Sequence, residues 1–215
     1  GFGRVTTQVY NNRSWVTKVT KPDPDGAGAF TASVILMGYN LRGDQTTLTD
    51  PLGNVTTTAY DNQQRATSTT YPDPDGGGPL AAPVTSQTYN ALGWVTSTTD
   101  ARGGVTDFAF DAVGRVLTTT QPDPDGAGPL ARPVTTNEYS PAGLSKVTDP
   151  LGNATTFVRD GNGRATSTTD AQGGVTSLVF DTYGNVLSQT DPDPDGAGPL
   201  ARPVTLYTYD SLNRV

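Results

Sequence analysis

The chain has 215 residues, only 33% of them hydrophobic, which is too few for one large packed core. A net charge of −7 and a pI near 4.4 exclude a phosphate-binding surface, and so nucleic acid, because that role needs clustered Lys and Arg. Cys and His are both absent, which rules out disulfides, zinc-thiolate sites and Ser-His-Asp or Cys-His catalysis from this chain alone; no enzymatic activity is expected.

Thr fills 36 positions, Gly 25 and Pro 17, so strand formers and turn formers dominate. In chain order, an aromatic followed by Asp or Asn recurs as Tyr10-Asn11, Tyr39-Asn40, Tyr60-Asp61, Tyr89-Asn90, Phe110-Asp111, Phe180-Asp181 and Tyr209-Asp210. Tyr139-Ser140 and Arg159-Asp160 fall in the same phase. The steps are 29, 21, 29, 21, 29, 20, 21 and 29 residues, so long and short units alternate, except where two short units run together near 139–180. One position is missing there, since Gly143 to Gly152 spans nine residues instead of ten.

The short unit at 89–109, YNALGWVTSTTDARGGVTDFA, divides into two turn-strand halves. Gly93 and Gly103 supply the turns, and the Val/Thr/aromatic runs between them have strand composition. A strand about every ten residues predicts an all-β, repetitive β-hairpin array, a solenoid or spiralling sheet, running continuously over 1–215. The long unit keeps the same strands but adds eight residues at its second turn: TTDARGGVT at 98–106 becomes TTQPDPDGAGPLARPVT at 119–135. Enlarged Pro/Asp turns are thus predicted at 22–33, 72–83, 122–133 and 192–203, with Pro fixing φ and Asp capping the turn.

These turns hold the candidate metal ligands. Asp191, Asp193 and Asp195 alternate before Gly196, as at the opening of calcium loops, and make the 191–196 segment the sharpest candidate for calcium. The other copies carry two carboxylates each, Asp23 with Asp25, Asp73 with Asp75, and Asp123 with Asp125. A rigid ligand-free turn accounts for the same residues. Trp15 and Trp94 stand where other units have Arg4, Arg65, Arg115, Arg164 and Arg214, which predicts a surface stripe covering apolar strand edges. Asn12-Arg13-Ser14, Asn54-Val55-Thr56 and Asn153-Ala154-Thr155 are the clean glycan-acceptor triplets.

FDAVGRVLTTT at 110–120, YDNQQRATSTT at 60–70, TDPLGNVTTTAYD at 49–61 and YDSLNRV at 209–215 together resemble the YD-repeat, or Rhs-repeat, family. That family includes Rhs and Tc toxin shells, wall-associated bacterial proteins and the teneurin extracellular domain. The resemblance implies hairpins wound side by side into a spiralling sheet around a hollow, in exported or surface-bound proteins. Departures are Arg159 for the aromatic, Gln64 and Asn213 for the turn Gly, and the enlarged PDPDG turns.

The expected role is structural, an extracellular or cell-surface filament, scaffold or coat that associates with itself or with neighbouring repeats of the same chain. A closed Rhs-type shell that encapsulates and delivers a toxin domain is the alternative, and a calcium-dependent glycan-binding adhesin the second. The regular period suits an open solenoid as well as a shell. No apolar run is long enough to span a membrane, and the two ends, cut at the same repeat phase, predict an excerpt of a longer array.

Overall fold

The computed structural model describes residues 5–25, 31–126, 128–196, 198–210, 212 and 214–215. Arg4, Asn213 and the 26–30 stretch of the first enlarged turn lie outside the described residues. Among the described residues there are seventeen strands and no helix, so no helix is long and apolar enough to cross a membrane. The chain divides into two compact units, Gly1–Thr106 and Asp107–Val215.

The first unit contains β1 (Thr7–Tyr10), β2 (Val16–Thr20), β3 (Val34–Tyr39), β4 (Gln45–Thr49), β5 (Val55–Tyr60), β6 (Ala66–Thr70), β7 (Val84–Tyr89) and β8 (Val95–Thr99). Each pairs antiparallel with the next, from β1–β2 through β7–β8. β9 (Val105–Phe110) crosses the boundary between the units. The second unit continues with β10 (Val116–Thr120), β11 (Val134–Ser140), β12 (Gly143–Thr148), β13 (Ala154–Arg159), β14 (Ala165–Thr169), β15 (Val175–Phe180), β16 (Val186–Thr190) and β17 (Val204–Leu206). It repeats the meander from β9–β10 to β16–β17. The fold is therefore the expected all-β array of hairpins, and among the described residues no pairing joins the last strand of a unit back to its first.

Most strands are five or six residues rich in Val, Thr and Ser because these side chains fit a pleated, half-covered surface. In β5 the pleat is visible in exposure: Val55, Thr57 and Ala59 are open while Thr56, Thr58 and Tyr60 are half-covered. No described residue is fully buried, so there is no separate core, as the low apolar content requires. The register shifts by one beside each hairpin aromatic, for instance between Ala59 and Tyr60, a bulge that turns the ring along the array.

The residue missing near 139 shortens the turn itself. Standard turns close around three residues, as where Asn90 N–H donates to the Trp94 carbonyl at 2.9 Å. In the shortened one Ser140 lies opposite Gly143, so only Pro141 and Ala142 bridge the strands.

Candidate functional site

The Asp of each aromatic-Asp pair builds its own turn. Asp111 Oδ1 accepts the N–H groups of Val113 at 3.0 Å and Arg115 at 2.9 Å, and Oδ2 accepts Arg115 Nε at 2.6 Å. Asp61, Asp160 and Asp210 repeat this geometry with Arg65, Arg164 and Arg214. At Asp50, Asp149 and Asp181 the partner is an Asn side chain, Asn54, Asn153 or Asn185, whose Nδ2 donates to Oδ2 at 2.8 Å. The glycan-triplet residues Asn54 and Asn153 thus have their amides engaged within their own turns. The Arg65 side chain, and then the Arg65 N–H, hold the Asp61 carboxyl below its ordinary value; at Asp100 the Gly104 N–H leads.

Three of these arginines, Arg65, Arg115 and Arg164, each lie over the aromatic ring of a later unit. The Arg65 guanidinium sits 4.3 Å from the Tyr89 ring centroid, Arg115 4.4 Å from Tyr139, and Arg164 4.6 Å from Phe180. The tyrosine hydroxyl then donates back to the preceding hairpin, Tyr89 to the Ala66 carbonyl at 2.8 Å and Tyr139 to Val116 at 3.0 Å. Trp15 replaces the cation by a ring, 5.5 Å from Tyr39, whose hydroxyl donates to the Val16 carbonyl at 2.8 Å. The Arg/Trp positions are therefore inter-hairpin clamps, a more specific role than the predicted edge stripe. The spacing is 24 residues from Trp15 to Tyr39, Arg65 to Tyr89 and Arg115 to Tyr139, where an enlarged turn intervenes, and 16 from Arg164 to Phe180, where it does not.

Arg159 fits the same scheme. Its Nε donates to the Leu144 carbonyl at 2.7 Å, the position that tyrosine hydroxyls address elsewhere, and its Nη1 donates to the Gly163 carbonyl at 2.7 Å. Gln64 takes the left-handed φ of the turn glycine at 63°, and so does Ser14, a departure that the sequence reading missed.

The enlarged turns are held by their own carboxylates. Asp123 Oδ1 accepts the Asp125 N–H at 3.2 Å, and Asp125 Oδ2 accepts the Leu130 N–H at 3.1 Å. Asp193 and Asp195 do the same with Asp195 and Leu200, and Asp73 and Asp75 with Asp75 and Leu80. Asp23 accepts the Asp25 N–H at 3.2 Å. Asp191 stands apart at the loop base, where its Oδ1 accepts Gln189 Nε2 at 2.6 Å and its carbonyl accepts Arg202 Nε at 2.9 Å. Asp193 and Asp195 are thus joined through backbone bonds while Asp191 faces other partners. Among the described residues no three acidic side chains are grouped to hold a metal ion. Arg132 locks the third turn, donating to the Gln121 carbonyl at 2.8 Å and to Asp107 Oδ2 at 2.6 Å.

This is an array of hairpins in which a turn carboxylate, a clamp cation and an aromatic repeat in fixed order, the arrangement of a repeat scaffold. The RHS Repeat family model matches residues 39–75, 89–126, 139–175 and 159–196, and the chain belongs to the Rhs-repeat family. Solved structures share the fold. The crystal structure of TcdB2-TccC3-TEV aligns with a TM-score of 0.68 at 19% identity, covering 97% of this chain and 11% of that one. That of TcdB2-TccC3-Cdc42 aligns at 0.66 and 14%, covering 97% and 12%. That of TcdB2-TccC3 aligns at 0.64 and 14%, covering 93% and 12%. The chain thus spans about an eighth or less of the structures it resembles. Comparison with curated proteins gives no match.

Proposed function

We propose that this array is a wall segment of an Rhs-type shell, a surface-exposed or secreted scaffold that encloses another polypeptide and has no catalysis of its own. The observation that carries the reading is the hairpin clamp combined with the absence of any fully buried described residue. Stability runs along the array, from hairpin to hairpin, and both faces of each sheet stay available for solvent on one side and contents on the other. Likeness in fold to the TcdB2-TccC3 structures supports a shell over an open filament.

Electron microscopy of the full-length protein, combined with limited proteolysis, tests it. Discrete hollow particles that protect an internal fragment until the wall is cut are the expected result. Long fibres with a regular axial repeat would make the protein a filament and sink the shell.

A further inference from the structure

The turns on the two sides of the strands differ in what they show to solvent. Within each unit every Pro-Leu step lies on one side of the strands: Pro51-Leu52 and Pro79-Leu80 in the turns that follow β4 and β6 of the first, and Pro129-Leu130, Pro150-Leu151 and Pro199-Leu200 in those that follow β10, β12 and β16 of the second. All five leucines are exposed, from 58% at Leu80 and Leu200 to 88% at Leu151. Each is also fixed, by the proline before it and by a carboxylate on its N–H: Asp50 for Leu52, Asp75 for Leu80, Asp125 for Leu130, Asp149 for Leu151 and Asp195 for Leu200. An exposed apolar side chain on a backbone fixed in advance is pre-organised for a contact, since that backbone entropy is already lost.

Charge selects the partner. In the second unit this side carries Asp123, Asp125, Asp149, Asp170, Asp193 and Asp195, while its cations Arg132 and Arg202 are turned onto the carbonyls of Gln121 and Asp191. On the opposite side Asp111, Asp160 and Asp210 are each balanced by an arginine, and only Asp181, held by Asn185, has no cation beside it in its turn. Spacing selects its form. The turns of Leu130 and Leu151 are two strands apart, about 10 Å, and those of Leu151 and Leu200 four strands apart, about 19 Å. One and two heptads of α-helix measure about 10.5 and 21 Å.

We propose that the Pro-Leu side of the second unit is a docking surface for a basic amphipathic helix of a partner protein. Apolar residues one and two heptads apart seat on Leu130, Leu151 and Leu200, and Lys or Arg on the flanks meet the carboxylates. The first unit offers a shorter version with Leu52 and Leu80.

A fluorescent four-heptad peptide with Leu at its a and d positions and Lys elsewhere, titrated into the full-length protein by anisotropy, tests this. Binding is expected to weaken at least tenfold when Leu130, Leu151 and Leu200 are all replaced by Ser, with an unchanged circular dichroism spectrum. Tyr183→Ser, which alters a side chain 84% exposed in the turn after β15, on the opposite side, is expected to leave binding intact. Absence of binding overturns the proposal, as does equal binding of a peptide with Ser in place of its Leu, which would reduce the contact to charge alone. Equal loss in the Tyr183→Ser protein overturns it as well. So does leucine-dependent binding of the protein to phosphatidylcholine vesicles, which would assign the row to a lipid surface.

Discussion

At the scale of the residue, the hairpin motif is a set of matched donors and acceptors. The aspartate needs to be ionised, since Oδ1 accepts two backbone N–H groups and Oδ2 a side-chain donor at Asp61, Asp111, Asp160 and Asp210. The carboxyls of Asp50, Asp61, Asp100, Asp149 and Asp210 titrate below their ordinary 3.8 in the folded protein, so the unfolded chain binds more protons as acid is added. Their contribution is complete above the unfolded value and is lost as pH falls through the folded ones. The thermal midpoint is expected to stay level from neutral pH down to about 5 and to drop below about 4. Replacing Asp50, Asp61 and Asp100 together by Asn should flatten that drop, and an unchanged profile would place the acid sensitivity elsewhere. Tyr139→Phe keeps the ring under Arg115 and loses only the hydroxyl bond to the Val116 carbonyl, for about 0.5–1.5 kcal/mol. A double-mutant cycle of Tyr139→Leu, which removes the ring, with Arg115→Ala should return a coupling of about 0.5–1 kcal/mol for the cation over the ring. Ser14 is held at a φ of 63° that costs an L-residue about 1–2 kcal/mol, so Ser14→Gly should raise the urea midpoint. Gln64→Gly should gain less, because the Gln64 side chain donates to Asp44 Oδ1 at 2.8 Å.

At the scale of the element, the enlarged turn is an insertion that the strands do not depend on. β10 and β11 pair through Thr118–Thr136, Thr119–Thr135 and Thr120–Val134, as β4 and β5 do across an ordinary turn. Replacing residues 121–133 by the sequence of 100–104, Asp-Ala-Arg-Gly-Gly, should leave the strand signal in circular dichroism intact. Loop-closure entropy changes by under about 1 kcal/mol for such a shortening, while the ties of Arg132 to Asp107 and Gln121 are lost. Loss of the fold would show that the turn directs the pairing. The turns also mark how far a sequence can be read. The thirteen residues from 121 to 133 stand out as an insertion by alignment with 100–104 alone, and Asp self-capping follows from Pro-Asp-Pro-Asp-Gly. Which N–H each carboxylate accepts does not follow, because Asp125 reaches Leu130 across a loop with no period of its own. Asp191 shows the same limit: alternation places it beside Asp193 and Asp195 in the sequence, while the strand end turns it toward Gln189.

At the scale of the whole chain, the array and its hairpins were legible because a strand every ten residues leaves few other ways to satisfy the backbone. The clamp was legible only as a composition, Arg exchanging with Trp, because its partner lies 24 residues away in one unit and 16 in another, as Arg115 to Tyr139 and Arg164 to Phe180 show. Arg159 was opaque for a related reason: guanidinium and phenol differ in composition but reach the same carbonyl position. With no fully buried residue among those described to couple distant strands, each clamp should protect its own neighbourhood alone. In hydrogen-exchange mass spectrometry of the full-length protein, Tyr139→Ala should speed exchange in β10, β11 and β12, which meet at that ring and its acceptor carbonyl. β15 and β16, clamped separately by Arg164 on Phe180, should keep wild-type rates. Exchange that accelerates evenly from β10 to β17 would mean that the second unit unfolds as one cooperative block, and that the repeats share more stability than the pairwise clamps supply.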